Sequence, residues 1–271
     1  MSYFQGYYFR HQNQNQTVAF IPGKADDGAF IQVITKESSN VFRFRDGDFG
    51  RTVRIGKNVF SRDGIHVSLP NIKGTIRYSD LTPIRSDIMG IFRFFPMECR
   101  HEIVSMRHNL CGTLEIDGTS YCFDGGTGYW EGDRGVSFPK EYLWMQANDF
   151  GDKSSWMLSV AKIPFCGMTF RGVICVVIVG GKEYRLATYC GARVEVTGSL
   201  ITVRQGSLLL HAEILSRGVG HVLTAPEMGK MSGMIREDNC AHIRITLQKN
   251  GQTVCDLTSY RAALEQHPLP E

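Results

Sequence analysis

The residues best suited to chemistry lie between Gly128 and Phe150, in the run GYWEGDRGVSFPKEYLWMQANDF. Glu131, Asp133 and Arg134 bring two carboxylates and a guanidinium close together, and Gly135-Val-Ser137-Phe-Pro139 then turns the chain. Beyond that corner the side chains change character at every second position. As a strand, the run puts Tyr142, Trp144, Gln146 and Asn148 on one face and Leu143, Met145 and Ala147 on the other. An aromatic face carrying amides suits the wall between a pocket and a packed core, because Gln and Asn can fix the polar end of a ligand. The same amides also fit a strand facing water, and the acids fit a solvated turn closed by a surface ion pair. His11 is open in the same way, to a pocket or to the surface.

Other chemistries fail on their own terms. Gly125-Gly-Thr-Gly128 lacks the spacing and lysine of a phosphate-binding loop, and no helix follows to supply a dipole. Ser137 is no nucleophile at an elbow, since Pro139 replaces the closing glycine and the flanks are not strand then helix. Cys99, His101, Glu102 and His108 crowd FFPMECRHEIVSMRHNL, without a Cys-x-x-Cys pair or a His-Glu-x-x-His frame. A strand there sends His101 and Glu102 to opposite faces, turned outward or paired internally. No metal and no cofactor is expected.

The elements that must carry these residues are strands. Asp46-Gly47, Gly56-Lys57, Asp63-Gly64, Asp117-Gly118, Gly180-Gly181 and Asn250-Gly251 each stand between runs rich in Val, Ile, Phe, Tyr and Thr, the pattern of tight hairpins. The clearest hairpins are predicted over 114–123, 176–184 and 242–257. Only 258–266 approaches a helical period, and it equally extends the last strand. A faint internal echo points to two similar β domains. Tyr7 to His11, a polar bend and Thr17 to Ile21 parallel Tyr142 to Asn148, a polar bend and Trp156 to Val160. The expected domains are 1–127 and 128–271, which puts the acidic run at the junction, a common place for pockets.

Composition sets the class. A chain of 271 residues with 42% hydrophobic residues is long enough for two cores, and disorder is excluded. Thirty basic and 27 acidic residues are spread along the chain for a net charge of +3, and no basic run marks a nucleic-acid partner. No apolar run is long enough for a transmembrane segment, and the N-terminus lacks a secretory core, so a soluble cytoplasmic protein is expected. The eight cysteines then read as free thiols, with Cys122 and Cys175 buried in strand-like runs.

Longer stretches carry a resemblance. YFQGYYFR at 3–10, AFIPG at 19–23, FIQVIT at 30–35, SRDGIHVSL at 61–69, FRFFPMECRHEIVSMRHNL at 92–110, FDGGTGYWEGDRGVSFPKEYLWMQAN at 123–148 and GKEYRLATY at 181–189 together resemble the bacterial branch of the tocopherol cyclase family. The likeness runs nearly end to end and keeps the motif order. It implies an all-β chain of two lipocalin-like antiparallel β-barrel domains with a pocket for a small apolar ligand, an isoprenoid or other lipid. In the plant members an acid protonates a trisubstituted alkene and a phenol oxygen attacks the cation.

Carried onto matching positions, the resemblance implies Glu131 or Asp133 as the proton donor, since neighbouring carboxylates can push one pKa up. Tyr129, Trp130 and Trp144 would face the cation, and Ser137, Gln146 and Asn148 would orient the head group, with His11 a further substrate contact. Arg134 beside the acids opposes protonation. Gln5 and Tyr7 stand where many relatives have Glu and Trp, which puts the first barrel's polar contact in doubt. Two other readings use the same residues: a non-catalytic carrier of lipid or small apolar ligands, with its acids outside, and an interaction protein whose acids are spent in ion pairs.

Overall fold

Local turn chemistry fixes the hairpins first. Asp117-Gly118, Gly180-Gly181 and Asn250-Gly251 all take positive φ at both positions, 50° and 78°, 56° and 73°, and 51° and 76°. That backbone has the right-handed twist of the strands it joins, and it is open to Gly, Asn and Asp at little cost. All three predicted hairpins are present. The computed structural model describes residues 2–14, 16–165 and 167–267, and among these the chain is almost entirely strand.

The first sheet opens with a meander of β1 (Phe4–Asn13), β2 (Gln16–Ala25), β3 (Gly28–Thr35) and β4 (Ser39–Phe44). Short strands follow: β5 (Asp48–Phe49), β6 (Val53–Ile55), β7 (Asn58–Ser61), β8 (Gly64–Leu69) and β9 (Ile72–Ser79). It closes with β10 (Cys99–Ile116), β11 (Thr119–Cys122) and β12 (Thr127–Gly135). The second sheet begins with β13 (Tyr142–Ala147), β14 (Ser155–Phe165), β15 (Met168–Val179) and β16 (Lys182–Ala187). It continues through β17 (Arg193–Thr197), β18 (Leu200–Gln205), β19 (Leu208–Ser216) and β20 (His221–Glu227). β21 (Lys230–Lys249) and β22 (Gln252–His267) complete it, so the ambiguous 258–266 is strand.

The two sheets repeat one plan. Their orders are β4-β3-β2-β1-β12-β10-β9-β8-β7-β6-β5 and β16-β15-β14-β13-β22-β21-β19-β18-β17. In each, a four-strand meander is joined to the remainder by the last strand, β12 or β22, which slots beside the first. The echo between Tyr7–His11 and Tyr142–Asn148 is therefore the echo of two equivalent strands, β1 and β13. These are two lipocalin-like antiparallel β-barrel domains. The first packs Phe9, Phe20, Ile31, Phe60, Ile65, Ile76 and Trp130 as its core. The second packs Leu143, Met145, Trp156, Leu158, Val177 and Ile245.

Contacts divide the chain into Met1–Ile84, Cys99–Phe138 and Leu223–Gly233 in one unit, and Arg85–Glu98, Pro139–Val222 and Met234–Glu271 in the other. In chain order β12 stays with the first unit and the changeover follows Phe138, because β12 is held between β1 and β10 of the first sheet. Two short segments are also exchanged, which no linear boundary captures. The seven described cysteines are all free. Cys175 is buried as expected, but Cys122 is exposed, because β11 pairs only with β10 and one side of it meets solvent. Cys166 lies outside the described residues.

Candidate functional site

In an antiparallel ladder, residues directly opposite one another share a sheet face. Tyr8 stands opposite Glu131, Arg10 opposite Tyr129 and Gly6 opposite Asp133 on β1 and β12, while His101 stands opposite Asp133 on β10. These residues therefore form one face. Phe9 and Trp130, opposite each other, take the other face and stack with ring centroids 4.7 Å apart. The acids occupy the sheet face turned away from the aromatic core of the first barrel. Gly132 leaves room for the ring of Tyr7 opposite it, from which a Cβ there would lie 2.6 Å.

On that face the side chains converge. The Tyr129 hydroxyl donates to Glu131 Oε2 at 2.5 Å, and His101 Nε2 faces the same oxygen at 3.2 Å. The second contact is an ion pair out of line for a hydrogen bond. His101 Nδ1 lies 3.0 Å from Asp133 Oδ1, and Cys99 Sγ donates to that carboxylate at 3.4 Å. Glu131 is 4% exposed, whereas the Asp133 side chain is 24% exposed. The cluster grades from a dry carboxyl to one that water reaches.

This geometry sets the proton affinities. Burial alone would lower the pKa of His101, but the carboxylates of Glu131 and Asp133 outweigh it and hold the imidazole well above its ordinary value. Burial raises Glu131, with the Asp133 charge adding to it and His101 and the Tyr129 hydroxyl opposing. Burial, then Glu131, push Tyr129 well above the usual phenol. His101 and Tyr129 therefore hold their protons more tightly than the free groups would. One imidazole and two carboxylates, with ligand atoms all within 4.8 Å of one another, could also hold a divalent ion. As arranged, however, both imidazole nitrogens are already engaged by the carboxylates.

The remaining sequence candidates fall elsewhere. Trp130 is packed in the first core, on the opposite face of β12 from Glu131. Arg134, next after Asp133 on the strand, points away from the acids and is exposed; the cation beside the carboxylates is His101 instead. Ser137 accepts a hydrogen bond from the Met228 backbone at 2.8 Å, a structural tie. His11 lies inside the first barrel, fully buried, with Nε2 2.5 Å from the Tyr78 hydroxyl. Tyr78 in turn packs on His108 with ring centroids 4.3 Å apart.

Trp144, Gln146 and Asn148 belong to the second unit, where alternation works as the residues indicated. Leu143, Met145 and Ala147 enter the core, and Tyr142, Trp144 and Gln146 take the other face. All are buried, so the water-facing alternative for the amides is wrong. Trp144 stands opposite Glu265, whose carboxylate accepts the Tyr142 hydroxyl. Each barrel thus carries a buried tyrosine-glutamate pair on the face away from its core. Sequence reasoning missed His101, Tyr142 and Glu265 as partners, because each meets its acid or hydroxyl only through strand pairing across a long separation.

Residues 69–266 match the family model described as tocopherol cyclase-like. No curated protein matches the chain in sequence. Among solved structures, CghA bound to Sch210972 superposes with a TM-score of 0.65 at 10% identity, covering 99% of this chain and 89% of that one. Kievitone hydratase from Nectria haematococca superposes at 0.53 and 10% identity, covering 98% of this chain and 88% of that one. Both likenesses are of fold.

Proposed function

The chain belongs to the tocopherol cyclase-like family, and from that membership and the cluster around Glu131 we propose that it protonates an alkene of an isoprenoid or similar lipid by general acid catalysis. The observation that carries this reading is a carboxyl shielded from water and held between the Tyr129 hydroxyl and the His101 imidazole. Burial raises the proton affinity of Glu131, against the opposing His101 imidazole and Tyr129 hydroxyl. Tyr129 and His101 then stabilise the carboxylate left after transfer, which is what a strong internal acid requires.

The step balances without a co-reactant. The Glu131 proton adds to the less substituted alkene carbon, and the tertiary cation forms beside it. In a prenylated phenol, the phenol oxygen attacks that cation and closes a ring. The phenol proton is released to the Glu131 carboxylate, so the product is an isomer of the substrate. His101 links Glu131 to the partly exposed Asp133, which gives the buried acid a route to exchange protons with solvent. On the second unit, the Trp144 face supports ligand contact in its own right, with an aromatic surface suited to a cation and amides suited to a polar head.

The test is turnover of a prenylated hydroquinone by the purified protein. Loss of general acid catalysis predicts a rate drop of roughly 10²–10⁴-fold for Glu131→Gln, with the fold checked by circular dichroism. Wild-type turnover in that variant would remove Glu131 from the mechanism. Lipid held by the protein with no turnover at all would favour the carrier.

A further inference from the structure

One surface of the second unit is built in a way that the acid site does not explain. The segment before β10 contains a 3-10 turn over Gly90–Phe94, in the sequence GIFRFFPM. Its approach is pinned from several directions. The Arg85 backbone donates to Glu183 Oε2 at 2.7 Å, and Arg185 donates to the carbonyls of Ser86 at 2.8 Å and Asp87 at 3.0 Å. The Tyr189 hydroxyl donates to the Ile88 carbonyl at 2.8 Å. Gly90 has φ of 53° with no room for a Cβ, which would lie 2.5 Å from the Tyr189 ring. The segment is held in place.

What it holds outward is apolar. Phe92 turns in, stacking on Phe170 of β15 at 6.1 Å, but Ile91, Phe94 and Phe95 are exposed, Phe94 at 73%. Met168, two positions before Phe170 on β15, shares the sheet face that Phe92 packs against and is itself 72% exposed. Both segments thus present exposed apolar side chains on either side of the Phe92–Phe170 contact. Over 90–98 and 167–171 the charged residues are Arg93, Glu98 and Arg171, all exposed, a net positive balance. The Arg93 guanidinium lies 4.5 Å over the Phe94 ring.

We infer that this surface docks on an anionic lipid bilayer. Rigidly presented aromatic and aliphatic side chains can enter the acyl boundary while flanking guanidinium groups meet lipid phosphates, the arrangement of an interfacial anchor. A second copy of this chain fits less well, because a two-fold contact through the patch would set like charges against each other. The proposed lipid reaction supplies the reason for docking: an isoprenoid substrate partitions into membranes, and the protein must collect it there. Among the described residues no helix is long and apolar enough to cross a membrane.

Flotation with phosphatidylcholine vesicles, with and without phosphatidylglycerol, tests this on the full chain. The protein should rise with the phosphatidylglycerol vesicles. The double variant Phe94→Ser and Met168→Ser should bind at least roughly tenfold more weakly. Arg93→Glu with Arg171→Glu should lower binding by roughly fivefold or more per site. Absence of the wild-type protein from the vesicle fraction, or equal flotation of the serine variant, overturns the inference. So does sedimentation showing a dimer that the serine variant dissolves. Turnover of a detergent-dispersed prenylated hydroquinone is read separately: flotation without turnover sinks the acid-site reading and leaves the docking surface, and turnover without flotation does the reverse.

Discussion

His101→Leu removes the cation that contacts both carboxylates of the cluster and should be the most damaging conservative-volume change on the Glu131 face. Breaking a buried ion pair by deleting one partner costs about 3–5 kcal/mol. The lower end applies here, about 3 kcal/mol, because Asp133 is 24% exposed and water can replace its lost contact, while Glu131 has no such recourse. The deficit must also depend on pH. In the parent, the His101 pKa is raised, so its stabilisation is fully present below the unfolded value of about 6.5 and is lost as pH rises through the higher folded value. In the variant, Glu131 loses the lowering influence of His101 and keeps burial and the Asp133 charge, which raise its pKa, against the Tyr129 hydroxyl alone, so it takes up a proton more readily on acidification and the cost shrinks. The stability gap should therefore be widest between the carboxylate range and about pH 6.5, narrowing on both sides. Urea titrations of both proteins across that range measure it. A gap that is constant with pH, or one below about 1 kcal/mol near neutrality, of the size of a surface pair, would refute the ion-pair reading.

Three further outcomes test other parts of the structure. Gly128→Ala places a methyl 2.1 Å from His108 Nε2, and His108 is fully buried against Tyr78, so overpacking should cost about 1–3 kcal/mol in urea. His108→Ala in the same chain should relieve part of it, and an unchanged midpoint would contradict the packing. Burial, first, and the Arg107 charge lower His108 to about 3; the unfolded chain then binds more protons, and stability should fall as pH drops from about 6.5 toward about 3. His108→Phe should flatten that slope, and an identical slope would exclude His108 as its source. Burial pushes Cys175 up to about 12 and Cys255 to about 11, so iodoacetamide near neutral pH should label exposed Cys122 and Cys190 well before either. Early labelling of Cys175 would show that the second core opens.

What the sequence disclosed and what it hid divide along one physical line, the range of the interaction. Hairpins at Asp117-Gly118 and Asn250-Gly251 are written in adjacent residues, and so are the two faces of β13, because side-chain alternation needs no knowledge of the partner strand. Alternation also places Trp130 on the face away from Glu131 once both are on one strand. The pairing of β12 with both β1 and β10 is another matter. His101 and Asp133 lie 32 positions apart, and irregular register between Ile103 and Ser105 and between Ser105 and His108 defeats counting along β10. A histidine beside a glutamate in CRHE could thus be read as turned outward or paired internally, and only the register distinguishes these. The same register makes Arg134 irrelevant to the acids and His101 decisive for them. A buried carboxyl held by a phenol and an imidazole is a property of β12 and β10 meeting, which is why Tyr129 and Glu131, two positions apart on one strand, could be singled out together from the sequence while their partner His101 could not.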